Sequence, residues 1–334
     1  MKVLSGIQDI DLAKWDALVK SSSVATWFQT REAFGFFDSQ SFMEAIVVAV
    51  DSDETLKGLA VGYIQKDGGK VKQYLSRRAI ILGGPLLAED ISSEELKALL
   101  QALKDNLQKN AIYIEMRNFN DYSRWRAVFE ECGFVYEPHY NVQIDTTSLE
   151  AVNGKLDRNR RRNIKKAVEN GIAIDENPNE EEVKAFYAQL DELFRTKVKS
   201  PLYPYEFFAK LKDLSSSRFF MAKNTEGVLL GGLVCVALEG RALYAWAACG
   251  DDQGHRDLSP SVMANYAGIC HAAEHGYPRF DFMGAGKPDD GGYGVRDFKL
   301  KFGGELVEQG RFVCICNAML YNLGKFGVKL MKRL

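Results

Sequence analysis

The chain has 334 residues, 46% of them apolar and 26% charged, a supply that suits two domains of ordinary size. Its formal net charge of −2 excludes a chain-wide attraction to DNA or to an anionic membrane, so any polyanionic partner must meet a local patch. No apolar run approaches the roughly 18 residues of a membrane span, the opening MKVLSGIQDIDLAKW lacks the apolar stretch of a secretion signal, and the six cysteines form no CxxC pair. These features predict a cytoplasmic chain with free, buried thiols.

In chain order, residues 9–20 carry helical spacing (Leu12, Trp15, Leu18, Val19) behind an acidic turn. AIVVAV (45–50) and GLAVGYIQ (58–65) read as a strand pair across a polar turn, and RAIIL (78–82) as a third strand closed by Gly83-Gly84-Pro85. Residues 92–109 form an amphipathic helix with a serine cap, Glu94 and Glu95 in its first turn, and the stripe Leu96, Leu99, Leu100, Leu103, Leu107. A strand (111–116), a helix (121–132) ended by Gly133 and a strand through Tyr140–Ile144 complete the first half.

A polar, turn-rich join, DTTSLEAVNGKLD (145–157), opens a helical insertion over 150–215 with helices at 155–170 and 179–198. FFMA (219–222), VLLGGLVCVAL (228–238) and ALYAWAAC (242–249) are strands. The loop GDDQGHRDLSPS leads into a helix from about 261 to 275 that Gly276 ends; RFDFMG (279–284) is the next strand. A Gly-rich loop, a short helix or turn at DFKLKFG, paired strands in ELVEQGRFVCIC and a helix over 317–334 finish the chain. Each half therefore reads strand, strand, strand, loop, helix, strand, helix, strand. The expected class is α/β with mixed sheets, in two domains of residues 1–150 and 151–334, the second including the basic helical insertion 155–198 and the C-terminal helix.

This order resembles the GNAT acyltransferase fold present twice, the hallmark of the FemABX family of peptidoglycan-bridge aminoacyltransferases. The resemblance is carried by RNRRRNIKKAVENG (158–171), RFDFMGAG (279–286) and above all YGVRDFKLKFGGE (293–305), with WFQTREAFGFF (27–37) a weaker match. It covers nearly the whole chain in layout, without the long coiled-coil arm of some members. It implies transfer of an amino acid from aminoacyl-tRNA to an amine of a peptidoglycan precursor, with no metal and no organic cofactor. It also implies a role for Lys299, in the step Phe298-Lys299 before Phe302-Gly303.

The residues themselves add to this. A CoA-using GNAT site cradles a pyrophosphate on free backbone N–H groups at a helix start. Here that place reads Arg256-Asp257-Leu258-Ser259-Pro260-Ser261, and Pro260 has no N–H to give. Acetyl-CoA or another acyl-CoA is therefore the alternative donor rather than the first choice. The cationic run around Arg158, Arg161, Arg162 and Lys165 suits the phosphates of tRNA or of a nucleotide-linked sugar. Ile164 and Val168 would turn that helix inward.

Lys299 would stabilise the oxyanion, with Asp281 or Asp297 accepting a proton and Arg296 or Lys287 near phosphates. Tyr244, Trp246, Arg256 and Tyr293 complete the candidate substrate contacts, and 284–292 reads as a mobile loop beside them. His271-Ala-Ala-Glu274-His275 matches a zinc-peptidase spacing but lacks a third ligand, so no metal is expected. The C-terminal helix combines Leu320, Leu323, Phe326 and Leu330 with Lys325 and Lys329, which would allow peripheral contact at the inner membrane face. A CoA-dependent N-acyltransferase and a non-catalytic nucleotide-sugar or nucleic-acid binding module are the other readings.

Overall fold

A computed structural model describes residues 1–66, 77–291 and 294–331. The chain divides into two compact units, Met1–His139 with Gln309–Leu334, and Tyr140–Glu308.

The first unit runs β1 (Lys2–Ser5), α1 (Leu12–Ser21), α2 (Arg31–Asp38), β2 (Met43–Ser52), β3 (Thr55–Gln65), β4 (Arg78–Gly83), β5 (Leu86–Leu87), α3 (Ser93–Leu107), β6 (Tyr113–Asn118), α4 (Arg126–Glu131) and β7 (Val135–Glu137). Helix α1 starts at Asp11, whose carboxylate accepts from the Ala13 and Lys14 N–H groups. Helix α3 starts at a reciprocal cap: the Ser92 hydroxyl accepts from the Glu95 N–H, and the Glu95 carboxylate accepts from the Ser92 N–H. Its predicted leucine stripe is wholly buried and packs with Ile81, Ile114, Met116 and Phe129 in one core.

The second unit runs β8 (Tyr140–Asp145), α5 (Leu149–Lys155), α6 (Arg158–Glu169), β9 (Ala173–Asp175), α7 (Glu180–Leu193), α8 (Tyr205–Lys212), β10 (Ser217–Lys223), β11 (Leu229–Leu238), β12 (Ala242–Gly250), α9 (Pro260–Glu274), β13 (Arg279–Gly284), α10 (Gly294–Leu300) and β14 (Glu305–Glu308). The insertion is not purely helical: β9 pairs antiparallel with β10 at the sheet edge. Helix α9 lies close on the sheet because Gly268 has no side chain; a Cβ there would sit 2.6 Å from a Leu233 methyl.

Two further elements, β15 (Arg311–Ile315) and α11 (Ala318–Met331), return to the first unit. The first sheet has the order β1-β2-β3-β4-β6-β15-β7, with β5 on β3; the second is β14-β8-β13-β12-β11-β10-β9. Each is antiparallel except for one central parallel pair, β4 with β6 and β12 with β13. The last strand of each half thus enters the other unit's sheet: β8 lies between β13 and β14, and β15 between β6 and β7. This corrects the expected boundary at 150. The first unit ends at His139, and the C-terminal helix belongs to it, not to the second unit. Two residues separate β7 from β8 and two separate β14 from β15, spacing that reads as an ordinary hairpin in sequence. All six cysteines are free thiols.

Candidate active site

The predicted residues of the second unit fall into two groups, set by a distortion of β13. Asp281 pairs with Gln143 of β8, but the next register position is Gly284 with Asn141, so the strand bulges between them. Met283 takes a left-handed conformation there (φ 57°), an unfavourable state for a residue with a Cβ. The bulge presents two carbonyls to one side chain: Lys299 Nζ, from α10, donates to Phe282 O at 2.8 Å and to Gly284 O at 2.7 Å. An ammonium has three donors, so one stays uncommitted among the described residues. Burial pushes the Lys299 pKa down to about 8, against the opposing pull of the Asp281 carboxylate.

Asp281 itself is 0% exposed. Its oxygens accept from Met283 N at 2.7 Å and from Gln143 Nε2 at 2.9 Å, and Arg279 Nε lies 4.0 Å away. Burial raises its pKa, although Arg279, those hydrogen bonds and Lys299 all favour the carboxylate. A carboxyl so enclosed cannot take a proton from a substrate amine in this geometry; it acts on Lys299 through its charge. Tyr244 belongs to the same buried group, accepting from Arg279 Nη2 at 3.2 Å, with burial pushing its pKa up to about 12. It is core rather than a substrate contact. Trp246 stands edge-on to Phe207 of α8 at 5.0 Å.

The second group lines a cleft of about 580 Å3 formed by α6, the 252–259 loop, the start of α9 and α10. Asp297 and Arg256 line it, together with Asn159, Arg160, Asn163, Asp252 and Lys301. Asp297 therefore faces this cleft, whereas Lys299 turns to the bulge; the structure does not assemble Lys299, Asp281 and Asp297 as one constellation. Arg296 is a clamp: it donates to Ala285 O at 2.9 Å and Lys287 O at 2.5 Å and stacks over Tyr140 at 5.0 Å. With Ala285 N donating to Tyr140 O at 2.6 Å, these bonds pin the start of the loop read as mobile. Lys287 is exposed beyond it, and Tyr293 lies outside the described residues.

The cationic helix turns inward on part of the expected face. Ile164 packs against the core with the buried Arg160 and Ala167, four residues before it and three after, while Val168 is 59% exposed. Arg158, Arg161, Arg162 and Lys165 are exposed. Arg161 donates to Asn153 O at 2.9 Å and Lys165 lies 3.8 Å from Glu169, while Arg158 and Arg162 have no ion pair among the described residues.

Arg160 is the residue the sequence reading missed. It is only 5% exposed, lies over the T-shaped pair of Phe298 (4.4 Å) and Phe302 (4.3 Å), and donates through Nη2 to Phe298 O at 2.8 Å. Its Nε has no hydrogen-bond partner, and no carboxylate pairs with it among the described residues. Burial pulls its pKa down to about 10, with Asp252 and Asp157 acting against that from a distance. Stacking on two rings offsets about 1–2 kcal/mol each, less than the several kcal/mol that an unpaired buried cation costs.

The start of α9 is already capped from within. Ser259 precedes it in a left-handed conformation (φ 43°), and its hydroxyl donates to Arg256 O at 3.1 Å instead of capping the helix. Pro260 follows, and the Ser261 N–H donates to Asp252 Oδ1 at 3.0 Å while the Ser261 hydroxyl donates to the other carboxylate oxygen. Gly250 allows the end of β12 to come this close, since a Cβ there would meet Ser261 N at 2.5 Å. A negative charge thus sits where a bound pyrophosphate would need the helix dipole. At the other end of α9, His271 and His275 stack face to face at 3.9 Å, and His271 Nδ1 meets Glu176 at 3.1 Å. The imidazoles pack on each other rather than converging on a common point.

Residues 154–299 match the family model described as Acetyltransferase (GNAT) domain. No curated protein matches the sequence. Among solved structures, FemX is similar at 17% identity over 97% of this chain and 99% of that one, with a TM-score of 0.73. L-PGS from Bacillus licheniformis is similar at 15% identity over 94% and 96% of the two chains (TM-score 0.59). A tandem GNAT protein from the clavulanic acid biosynthesis pathway is similar at 9% identity over 94% and 98% (TM-score 0.57). The chain therefore carries a GNAT domain in its second unit and, over nearly its whole length, the Fem-type tandem GNAT fold.

Proposed function

We propose that the protein is an aminoacyltransferase that moves an amino acid from aminoacyl-tRNA to an amine of a peptidoglycan precursor. The observation that carries this choice of donor is the occupied start of α9. Asp252 takes the Ser261 donors and Pro260 offers none, so the usual seat of an acyl-CoA pyrophosphate holds a carboxylate instead. The exposed Arg158, Arg161, Arg162 and Lys165 supply a cationic face for a polyanionic donor. Lys287, exposed on its loop, adds a further cation for substrate phosphates.

In this reading the acceptor amine attacks the ester carbonyl, a C–N bond forms, and the bond to the ribose oxygen breaks. The developing oxyanion is stabilised by the uncommitted N–H of Lys299, whose charge is fixed beforehand by two carbonyls and Asp281. The proton lost by the amine finishes on the departing ribose oxygen, since neither aspartate meets Lys299 at an accessible point. No metal or organic cofactor has a part in these steps.

The matched acetyltransferase model favours one second reading, a CoA-dependent N-acyltransferase on the same scaffold. Calorimetric titration with acetyl-CoA and with aminoacyl-tRNA at two salt concentrations, followed by a transfer assay, separates them. Salt-sensitive tRNA binding with turnover and no CoA binding supports aminoacyl transfer. Tight CoA binding with N-acylation overturns it, and binding without turnover of either donor leaves a nucleotide-sugar or nucleic-acid binding module.

A further inference from the structure

We propose that the open edge of β2 is a docking groove for an extended, basic peptide, which adds to the first sheet as a further strand. The groove lies in the first unit and depends on neither acyl donor.

It begins where β1 leaves the sheet. The ladder between β1 and β2 ends at Ser5 with Val48, followed by one bond from the Gly6 N–H to Val47 O at 3.0 Å. Gly6 then turns the chain away with φ 98° and ψ 150°, a state essentially restricted to glycine. Strand β2 starts earlier, at Met43, and is paired with β3 from there on. Its stretch from Met43 to Val47 therefore has β3 on one side and no described strand on the other.

The alternation of the ladder says which backbone groups this opens. Phe42 O accepts from the Lys66 N–H on the β3 side, whereas Val47 O faces β1. Even-numbered positions thus turn to β3 and odd-numbered ones to the vacant side. The Met43 N–H is spent on Gln40 O, but the Ala45 N–H and C=O and the Met43 C=O have no partner among the described residues. Native sheets commonly blunt such an edge with a proline, a lysine or a bulge. Met43-Glu44-Ala45-Ile46-Val47 carries none of these.

The edge borders a cavity of about 410 Å3, between Phe34 of α2, Ile46 and Ile64 of the sheet, and Leu107 at the end of α3. Tyr63 packs on Phe37 of α2, while Val48 and Ile64 pack with the α3 leucines, so the two helices cover opposite faces of the sheet. A single added strand finds a wall on each of its faces here. The sheet edge of a second copy, flanked by its own two helices, would meet these walls first.

Charge selects the occupant. One carboxylate, Glu44, and no cation line the cavity. Lys66 meets Glu44 Oε2 at 2.8 Å, which leaves Oε1 without a partner among the described residues. Helix α3 also ends here, with the negative end of its dipole. The Gln108 N–H takes Lys104 O, and the Asn110 and Ala111 N–H groups both take Leu107 O, so the Asp105 and Asn106 carbonyls stay open among the described residues. A lysine or arginine head suits these acceptors, and its aliphatic stem suits Ile46 and Leu107.

The probe is a capped octapeptide of alternating valine and lysine, titrated into the full chain by calorimetry and followed by amide hydrogen exchange. Binding should saturate and should slow exchange at the Ala45 N–H. Ala45→Pro removes that donor at an edge position, where proline is tolerated, and should weaken binding by about tenfold or more. If Ala45→Pro does not fold, Glu44→Gln gives the answer from the charge: it should weaken the lysine peptide by about threefold or more and leave a valine–threonine peptide unchanged. Absence of saturable binding by the wild-type chain overturns the proposal, as does unchanged affinity in either variant. Sedimentation at rising concentration tests the other occupant, since self-association that Ala45→Pro abolishes would place a second copy on this edge and overturn the peptide assignment. Lys299 and α6 belong to the second unit and no turnover is measured, so failure here is distinct from failure of the transfer reading.

Discussion

Replacing Lys299 by methionine tests the electrostatics of the β13 bulge and the proposed chemistry together. The folded pKa of about 8 lies 10.5 − 8 = 2.5 units below the ordinary lysine value. At about 1.4 kcal/mol per unit, the native state bears a penalty of at most ~3.5 kcal/mol for holding this ammonium in its protonated form. The sign follows from proton counting. Below pH 8 both states are protonated and the full penalty applies. Between pH 8 and 10.5 the unfolded chain binds the extra proton, so stability rises with pH and the penalty disappears.

Lys299→Met removes this dependence, while leaving the Phe282 and Gly284 carbonyls without a donor at about 1–3 kcal/mol each. The two effects oppose each other in stability at pH 7, so the informative quantity is the slope. Urea unfolding at pH 7, 8, 9 and 10 should show wild type gaining on the variant as pH rises. Transfer should follow the opposite course, since only the protonated lysine stabilises an oxyanion: wild-type kcat should fall as pH rises past about 8. The variant should lose roughly 100- to 1000-fold in kcat with little change in KM. Parallel stability curves would refute the burial argument, and undiminished turnover would remove Lys299 from the mechanism.

Three other outcomes follow from particular contacts. In the first unit, burial raises the Glu115 pKa but Arg117 (3.0 Å) and Arg311 (2.5 Å) outweigh it and hold it at about 2. Its contribution should be complete above pH 4.5 and be lost as pH falls toward 2. Glu115→Gln, which removes the carboxylate that Arg117 and Arg311 share, should cost about 3–5 kcal/mol in urea unfolding at pH 7, and a cost below 1 would show that the ion pairs are dispensable. Asp252→Ala should lower stability by about 0.5–2 kcal/mol through loss of the α9 cap and should tighten pyrophosphate binding; weaker binding would show that Asp252 does not compete with anions there. Met319 and Leu323 of α11 are 76% and 57% exposed. Anionic vesicles should co-sediment the wild-type chain more than Met319→Ser/Leu323→Ser, and equal sedimentation would exclude α11 as a membrane contact.

Much of the fold is legible because local chemistry and tertiary packing agree. Ser92 caps α3 and its leucine stripe is buried, and Pro260 opens α9 as a first-turn proline should. The insertion is harder. Cations at six positions from Arg158 to Lys166 suggest a helix solvated all round apart from its apolar residues, so Ile164 and Val168 look like the anchor. Ile164 does pack on the core, but Val168 is exposed, and the fully buried partner on that face is an arginine, which two phenylalanine rings far away in sequence can accept and which no periodicity of apolar residues reveals. Asp281 misleads in the other direction. Its place at the end of a central strand suggests an active-site carboxylate, but the bulge turns it inward to Gln143 and Met283 N, a consequence of register that only the paired strands define.

The exchange of β8 and β15 has the same origin, and it dictates how the chain can be divided. A strand's alternation says which faces are apolar but not which sheet it enters, so a two-residue step from β7 to β8 looks the same whether the strand turns back or leaves. Cutting at residue 145 would give an amino-terminal piece with an unpartnered β8 and a gap between β6 and β7. It would lose Phe312, stacked on Phe129 at 4.0 Å, and leave Glu115 without Arg311. Removing that ring alone costs about 3–5 kcal/mol, comparable with the net stability of many domains.

The two segments of the first unit already meet, since the Gly310 N–H donates to His139 O at 3.0 Å and Arg311 Nη2 donates to His139 Nε2 at 2.8 Å. Residues 1–139 joined by a short glycine linker to 309–334 should therefore unfold cooperatively with native near-ultraviolet circular dichroism. Residues 1–145 alone should not. A cooperative transition in the shorter piece would mean that β15 is an accessory to the first sheet, and that the strand exchange joins the two units without being needed to complete either.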